Sequence, residues 1–161
     1  MKFSYDMTYD APPEDVAAML ADRAFREKVC ESIRSRRWDV SVDGEGAGMK
    51  VVVDQTQKAV GIPSFAQRFV GDSIQVVQRE DWGSTTAATL AIEIPGKPGR
   101  LDGTIRLAPH GDGTVETVSG ELKVKVPVVG GRLEEMVAGL LRSALRAEEN
   151  VGRAWLAAKA A

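Results

Sequence analysis

The chain opens on an alternation of apolar and polar side chains in the sequence KFSYDMTYD. The odd positions, from Phe3 to Tyr9, are aromatic residues or Met, which is the period of a half-buried β-strand. Ala-Pro-Pro at 11–13 ends this strand, and the acidic residues after Pro13 favour the first turn of a helix. A second short helix is expected around 24–32, where apolar residues recur at helical spacing.

The middle of the chain repeats the alternation between glycine-rich turns. These turns are DGEGAG at 43–48, PGKPG at 95–99 and HGDG at 110–113. Such residues between two alternating runs are typical of hairpin loops. The pattern predicts an antiparallel meander of about six or seven strands, with apolar positions at Trp38, Val40, Val42, Met49, Val51, Val53, Ile74, Val76, Trp82, Leu90, Ile92, Ile94, Leu101, Ile105, Leu107, Leu122, Val124 and Val126.

The segment 57–72 departs from this alternation. It contains IPSFAQRFVG, in which Phe65 and Phe69 have helical spacing between glycine and proline residues. We interpret it either as a bent strand or as a short lid over an apolar space.

The part of the chain after Gly130 predicts one long helix. At about 100° per residue, its apolar side chains cover about half of the circumference, which is wider than the ~100° stripe of an ordinary surface helix. Such a helix needs a concave partner, and a twisted antiparallel sheet supplies one. The apolar arc consists of Leu133, Met136, Val137, Leu140, Leu141, Ala144, Leu145, Val151 and Trp155.

Strand, two helices, meander and long helix together form the helix-grip order of elements. The Tyr-rich first strand running into DAPPEDVAAML, and the ending GELKVKVPVVGGRLEEMVAGLL, resemble the START-like (SRPBCC) superfamily of ligand-binding and lipid-transfer proteins. The chain also resembles an actinobacterial family of unknown function within that superfamily. The resemblance implies an α+β fold in which residues 1–161 form a single START-like domain. It also implies a cavity between the sheet and the closing helix.

Side chains on the inner faces of that sheet and helix are expected to contact a ligand. Plain core packing is the alternative for each of them, because alternation alone does not separate a filled core from a cavity. The predicted ligand-binding set is Tyr5, Met7, Trp38, Val51, Phe65, Phe69, Trp82, Leu90, Ile92, Ile105, Val124, Met136, Leu140, Ala144 and Glu148.

Glu148 is the most informative single residue, because it falls inside the apolar arc of the long helix. A buried carboxylate there would have a raised pKa and could anchor a ligand or act as a general acid or base. The alternatives are that this turn of the helix reaches solvent, or that Glu148 pairs with an arginine. Glu80 is a second carboxylate that could face the cavity.

Other candidate sites are weaker. Gly130-Gly131 could bind an anion, but neither GxxxxGK[ST] nor GxGxxG is present, so we interpret the pair as a turn with unusual dihedrals. His110, the only histidine, lies in an expected exposed turn, and the single Cys30 is expected to be a small core residue. No metal ligands, cofactor motif or catalytic set of nucleophile and base are predicted.

Composition limits the function classes. The net charge of −2 does not favour nucleic-acid binding, and no apolar run reaches the ~18–20 residues of a membrane span. The N-terminal residues lack the apolar core of a signal peptide, so we expect a cytoplasmic protein without stable membrane insertion.

Three functions remain open at this point. The first is binding, or transport, of a small hydrophobic or amphipathic ligand by a monomer or homodimer. The second is an enzyme of cyclase, dehydratase or hydrolase type that uses Glu148 or Glu80. The third is a protein-interaction module with an exposed apolar face.

Overall fold

A computed structural model describes residues 1–161. Its elements are β1 Lys2–Tyr9, α1 Pro13–Leu20, α2 Arg23–Ser32, β2 Arg37–Asp43, β3 Lys50–Lys58, α3 Ser64–Val70, β4 Ser73–Trp82, β5 Ala87–Glu93, β6 Gly99–His110, β7 Gly113–Val124 and α4 Gly130–Ala160.

The seven strands form one antiparallel sheet in the order β1-β7-β6-β5-β4-β3-β2. Strands β2 to β7 pair with their sequence neighbours, and β1 pairs with β7 across the length of the chain. The predicted α+β helix-grip fold is confirmed, with two short helices after the first strand and one long helix at the end. None of the four helices combines the length and the hydropathy of a membrane span, and the cellular location stays a prediction.

Helix α4 is tied to the sheet near both of its ends. Near its start, Glu134 Oε2 accepts a hydrogen bond of 3.0 Å from the backbone N–H of Val124. Near its end, Glu149 Oε2 accepts one of 2.8 Å from the backbone N–H of Thr8. The Trp155 ring also packs edge-on against Phe25 of α2, with 5.7 Å between the ring centroids. These contacts fix where the middle of α4 lies over the sheet.

The turn before α4 corrects one expectation. Unusual dihedrals were expected at Gly130-Gly131, but the positive φ of this turn, 71°, belongs to Val128. Gly130 is required for another reason, since a Cβ there would lie 2.7 Å from the carbonyl oxygen of Val124. The glycine allows the helix to start against the end of β7.

The segment 57–72 combines a strand end with a short helix. β3 continues to Lys58, and α3 then occupies Ser64–Val70. The guanidinium of Arg132 on α4 lies 4.0 Å from the centre of the Phe65 ring, which places α3 beside the start of α4.

Two glycines face each other where β6 and β7 pair in the middle of the sheet. Gly103 is the register partner of Gly120. A Cβ on Gly103 would overlap the carbonyl oxygen of Ser119, and one on Gly120 would overlap that of Asp102. The two backbones therefore approach more closely than any side chain permits.

We predict that Gly103→Ala lowers the free energy of unfolding by at least about 2 kcal/mol, because the clash is with backbone that cannot rotate away. Urea denaturation measures the change. The control is Gly83→Ala, since nothing lies within 4 Å of a Cβ at that position. Equal stability of the two variants would contradict the close approach.

Candidate functional site

A cavity of about 530 Å³ lies between the sheet and the first half of α4, and we call it the outer cavity. Its walls come from α3, from strands β3 to β7, from the 94–98 turn and from α4. Most of the lining side chains are apolar, including Phe69, Met136 and Leu140. It has the size and composition of a small-molecule site.

One wall of the outer cavity carries a row of amides. Gln55, Gln57 and Gln78 line it from the inner face of β3 and β4, whereas Gln75 lies on the opposite face of β4 and donates to Asp54 at 3.0 Å. Gln55 Oε1 accepts from Ser35 Oγ and Gln78 donates to Glu80 at 2.6 Å, which leaves the amide nitrogen of Gln55 as a donor and the carbonyl oxygen of Gln78 as an acceptor. The outer cavity is therefore amphipathic, with amide groups on β3 and β4 among otherwise mostly apolar walls.

A second, much smaller cavity of about 50 Å³ adjoins it and lies deeper, toward α1 and α2; we call it the inner cavity. The two cavities have lining residues in common, among them Gln78, Ile92 and Ala144. The inner cavity is also lined by four charged or titratable side chains in an otherwise mostly apolar wall, namely Arg26, Glu80, Glu116 and Glu148.

Arg26 and Glu80 form a buried, bidentate ion pair. Arg26 Nη1 lies 2.7 Å from Glu80 Oε2, and Nη2 lies 2.8 Å from Oε1. The Glu80 carboxylate also accepts from Gln78 Nε2 at 2.6 Å and from Trp82 Nε1 at 2.9 Å. Arg26 Nε donates to the carbonyl of Leu20 at 2.8 Å. All three nitrogens of the Arg26 guanidinium and both Glu80 oxygens thus have hydrogen-bond partners, as a buried pair requires.

The electrostatics of Glu80 follow from these contacts. Burial by itself raises the pKa of this carboxyl, but the charge of Arg26 and the hydrogen bonds from Arg26, Trp82 and Gln78 outweigh it. The pKa of Glu80 therefore lies below its usual range, and the residue stays ionised. A proton-transfer role for Glu80 at neutral pH is not supported.

Glu116 and Glu148 differ from Glu80, because neither has a cation of its own. Glu116 is only 2% exposed, and its Oε2 has no hydrogen-bond partner. Burial, followed by the charge of Glu148, raises the pKa of Glu116 well above its usual value. Glu148 is half-buried, and the loss of water around its carboxyl group raises its pKa to about 7, although the charge of Arg26 lowers it in part.

The predicted ligand-binding residues fall into three groups. Lining the outer cavity are Phe69, Ile92, Val124, Met136, Leu140 and Ala144. Lining the inner cavity are Leu90, Ile92, Ile105, Ala144 and Glu148. Outside both lie Tyr5, Met7, Trp38, Val51, Phe65 and Trp82. Within this last group Met7, Val51 and Trp82 are core residues with at most 2% exposure, and contact of any of the fifteen with a ligand stays a prediction.

Sequence reasoning missed Arg26 and Glu116, although each has a signal. Arg26 stands at the head of the helical series 26, 29, 30, 33, whose other members are apolar. Glu116 shares the inward face of β7 with Val118 and Leu122, which are 3% and 1% exposed. A charged residue at such a position indicates a buried polar site.

Two weaker candidates occupy the places expected of them. Cys30 is 1% exposed, and burial raises the pKa of its thiol to about 11, which disfavours a reactive thiolate. His110 ends β6 and is exposed. Neither side chain lines the inner or the outer cavity.

We predict that Arg26→Met lowers the free energy of unfolding by about 3–5 kcal/mol, because it leaves the Glu80 carboxylate buried without its cation. The double variant Arg26→Met with Glu80→Leu should lose less than the single variant, since no charge is then stranded. Urea denaturation gives both values.

The control is Lys50→Met, which breaks the exposed ion pair of 2.9 Å between Lys50 on β3 and Asp81, the residue that follows Glu80 on β4. Its cost should stay below about 1 kcal/mol. The buried pair would lose its structural importance if Arg26→Met were no more destabilising than this control.

Residues 4–156 match a family described as "Protein of unknown function (DUF2505)". The uncharacterized protein Rv0481c of Mycobacterium tuberculosis is 26% identical over 175 residues, with 97% of this chain and 98% of the relative covered.

Among solved structures, the protein TTHA0849 from Thermus thermophilus superimposes with a TM-score of 0.66 at 19% identity, covering 96% of this chain and 98% of that one. The di-domain ARO/CYC StfQ from the steffimycin biosynthetic pathway gives a TM-score of 0.70 at 12% identity, covering 99% of this chain and 51% of that one. These likenesses agree with the order of elements and confirm the predicted START-like fold. The chain belongs to the DUF2505 family and has the helix-grip fold of the START-like superfamily.

Proposed function

We propose that the protein binds a small amphipathic molecule, with the hydrocarbon part of the ligand in the outer cavity. The observation that carries this proposal is the outer cavity itself, about 530 Å³ between the sheet and α4. Pockets of about 300–1,000 Å³ with mostly apolar walls are typical of small-molecule sites.

The packing of α4 supports the same conclusion. Over its 31 residues, only Gly130, Leu133, Ala138 and Gly152 are fully buried. The central apolar residues Met136, Leu140 and Leu141 line the outer cavity instead of meeting protein atoms on every side. A ligand that covers them removes apolar surface from water, which is worth about 25 cal/mol per Å².

The row of glutamine amides favours a ligand with one polar side and orients that side toward the sheet. An entirely apolar molecule would leave the free amide groups of Gln55, Gln57 and Gln78 facing hydrocarbon, and burying a polar group without a partner costs free energy. A molecule with oxygen or nitrogen groups along one side satisfies these amides while its other side packs on α4. The preferred ligand is therefore amphipathic, and helix-grip proteins often hold hydrophobic molecules at this place in the fold.

A second candidate function is acid–base catalysis on the same ligand. The observation that favours it is the position of Glu148, which has a pKa of about 7 and borders a cavity that adjoins the ligand site. A group with a pKa near the working pH can both give and take a proton. The StfQ neighbour bears the designation ARO/CYC. A substrate converted by the wild type and only bound by Glu148→Gln would establish this function.

We predict that decanol, used as a neutral amphipathic probe, raises the melting temperature and gives a saturable calorimetric signal. Ala144 lines both cavities, so Ala144→Phe should fill the space and weaken decanol binding at least tenfold.

The matched control is Ala154→Phe, an exposed alanine on the same helix, which should bind decanol as the wild type does. Absence of decanol binding to the wild type, or unchanged binding by Ala144→Phe, would count against the outer cavity as the site.

A further inference from the structure

We propose that the inner cavity receives the protonated amino group of the ligand, so that the ligand class is a hydrophobic amine. This inference rests on the proposed function, because the hydrocarbon part of the same molecule would occupy the outer cavity. This inference specifies the head group of the ligand, which the lining of the outer cavity does not determine.

Arg26 is not available to an anionic ligand. Its two terminal nitrogens each bind a Glu80 oxygen, at 2.7 and 2.8 Å, and its Nε binds the carbonyl of Leu20. The positive charge of Arg26 is thus matched by one carboxylate inside the protein. A ligand carboxylate would have to displace Glu80, which also holds Gln78 and Trp82.

Two further carboxyl groups border the same space without a cation of their own. Glu116 comes from β7 and Glu148 from α4, so the wall holds three carboxyl groups and one guanidinium. The charges that act on Glu116 or Glu148 are those of Arg26 on α2, Glu80 on β4, and Glu148 and Glu149 on α4. Glu149 is paired with Arg153 at 3.2 Å. With the four groups of the wall ionised, one positive charge faces three negative ones, and either protons or a cation must offset the excess.

One carboxyl oxygen at the inner cavity has no hydrogen-bond partner. Glu116 Oε2 is buried and accepts no hydrogen bond from the protein. An ammonium group has three N–H donors and no acceptor, which suits an ionised carboxylate that only accepts. Such a group would donate to Glu116 Oε2, and its single positive charge would offset one of the two negative charges that Glu116 and Glu148 carry when ionised.

The inner cavity is large enough for a small polar group. It measures about 50 Å³, and a cavity volume of about 10–15 Å³ is enough to hold one water molecule. The space therefore suits a single small polar group such as an amino group. The shared lining residues Ile92, Leu101, Leu141 and Ala144 continue directly into the outer cavity, where an alkyl chain or ring meets apolar walls.

The test compares three probes of equal chain length, decylamine, decanol and decanoate, by calorimetry at pH 8. We expect decylamine to bind at least tenfold more tightly than decanol, and decanoate to bind most weakly, because the inner wall is acidic. Between pH 6 and pH 8 the affinity for decylamine should rise up to about tenfold as Glu148 ionises, while the amine remains protonated throughout. Decanol affinity should change little over the same range.

Variants separate the head-group site from the rest of the cavity. Glu148→Gln and Glu116→Gln should each lower the ratio of decylamine to decanol affinity toward one, whereas Glu135→Gln should keep the wild-type ratio. Glu135 is an exposed carboxylate on α4 outside both cavities.

The outcomes distinguish the two proposals. Similar affinities for all three probes would overturn selection of an amine and leave the amphipathic ligand site standing. Preference for decanoate would also overturn it. Failure of all three probes to bind would overturn the ligand site itself, and the amine with it. Unchanged decylamine-to-decanol ratios in both glutamine variants would show that the inner cavity does not receive the head group.

Discussion

The buried ion pair between Arg26 and Glu80 is the constraint on which the interior of this protein depends. It joins α2 to β4, and Trp82, Gln78 and the carbonyl of Leu20 complete its hydrogen bonds. A charge pair taken out of water is stable only when its geometry is good and its remaining donors and acceptors are matched. The positions of α2, of the end of α1 and of β4 are therefore coupled. The same pairing fixes the character of the inner cavity, because Arg26 is committed to Glu80 and leaves Glu116 and Glu148 without a cation.

The outer cavity follows from how α4 is attached. Glu134 and Glu149 accept hydrogen bonds from backbone N–H groups of β7 and β1, and Trp155 packs on Phe25. These contacts hold the helix near its two ends. Between them, small or flexible side chains such as Ala144 and Met136 do not fill the space down to the sheet. The wide apolar arc of the helix is thus explained by a cavity as well as by a core.

Much of the architecture could be predicted from the sequence. Period-two alternation marked the strands, glycine-rich runs marked the hairpins, and the half-apolar circumference of the last helix required a concave sheet. Glu148 stood out because a carboxylate interrupts that arc. The site was harder to predict. Met7 in the core and Ile92 at the cavity both occupy inward positions of strands with alternating apolar and polar residues, so the pattern does not distinguish them. The burial of Arg26 and Glu116 can be predicted only when each charged residue is compared with the apolar residues on the same face of its helix or strand. The Arg26–Glu80 pair also joins residues 54 positions apart, and only the folded sheet brings them together.

We propose that the half-buried Glu148 borders an acidic inner cavity that a cation completes. Carbon-13 NMR of the Glu148 side-chain carboxyl, titrated with and without bound decylamine, tests it most directly. We predict a midpoint near 7 in the free protein, against 4.5 for an ordinary glutamate, and a clearly lower midpoint in the complex. A midpoint near 4.5 in the free protein, unmoved by the amine, would contradict it.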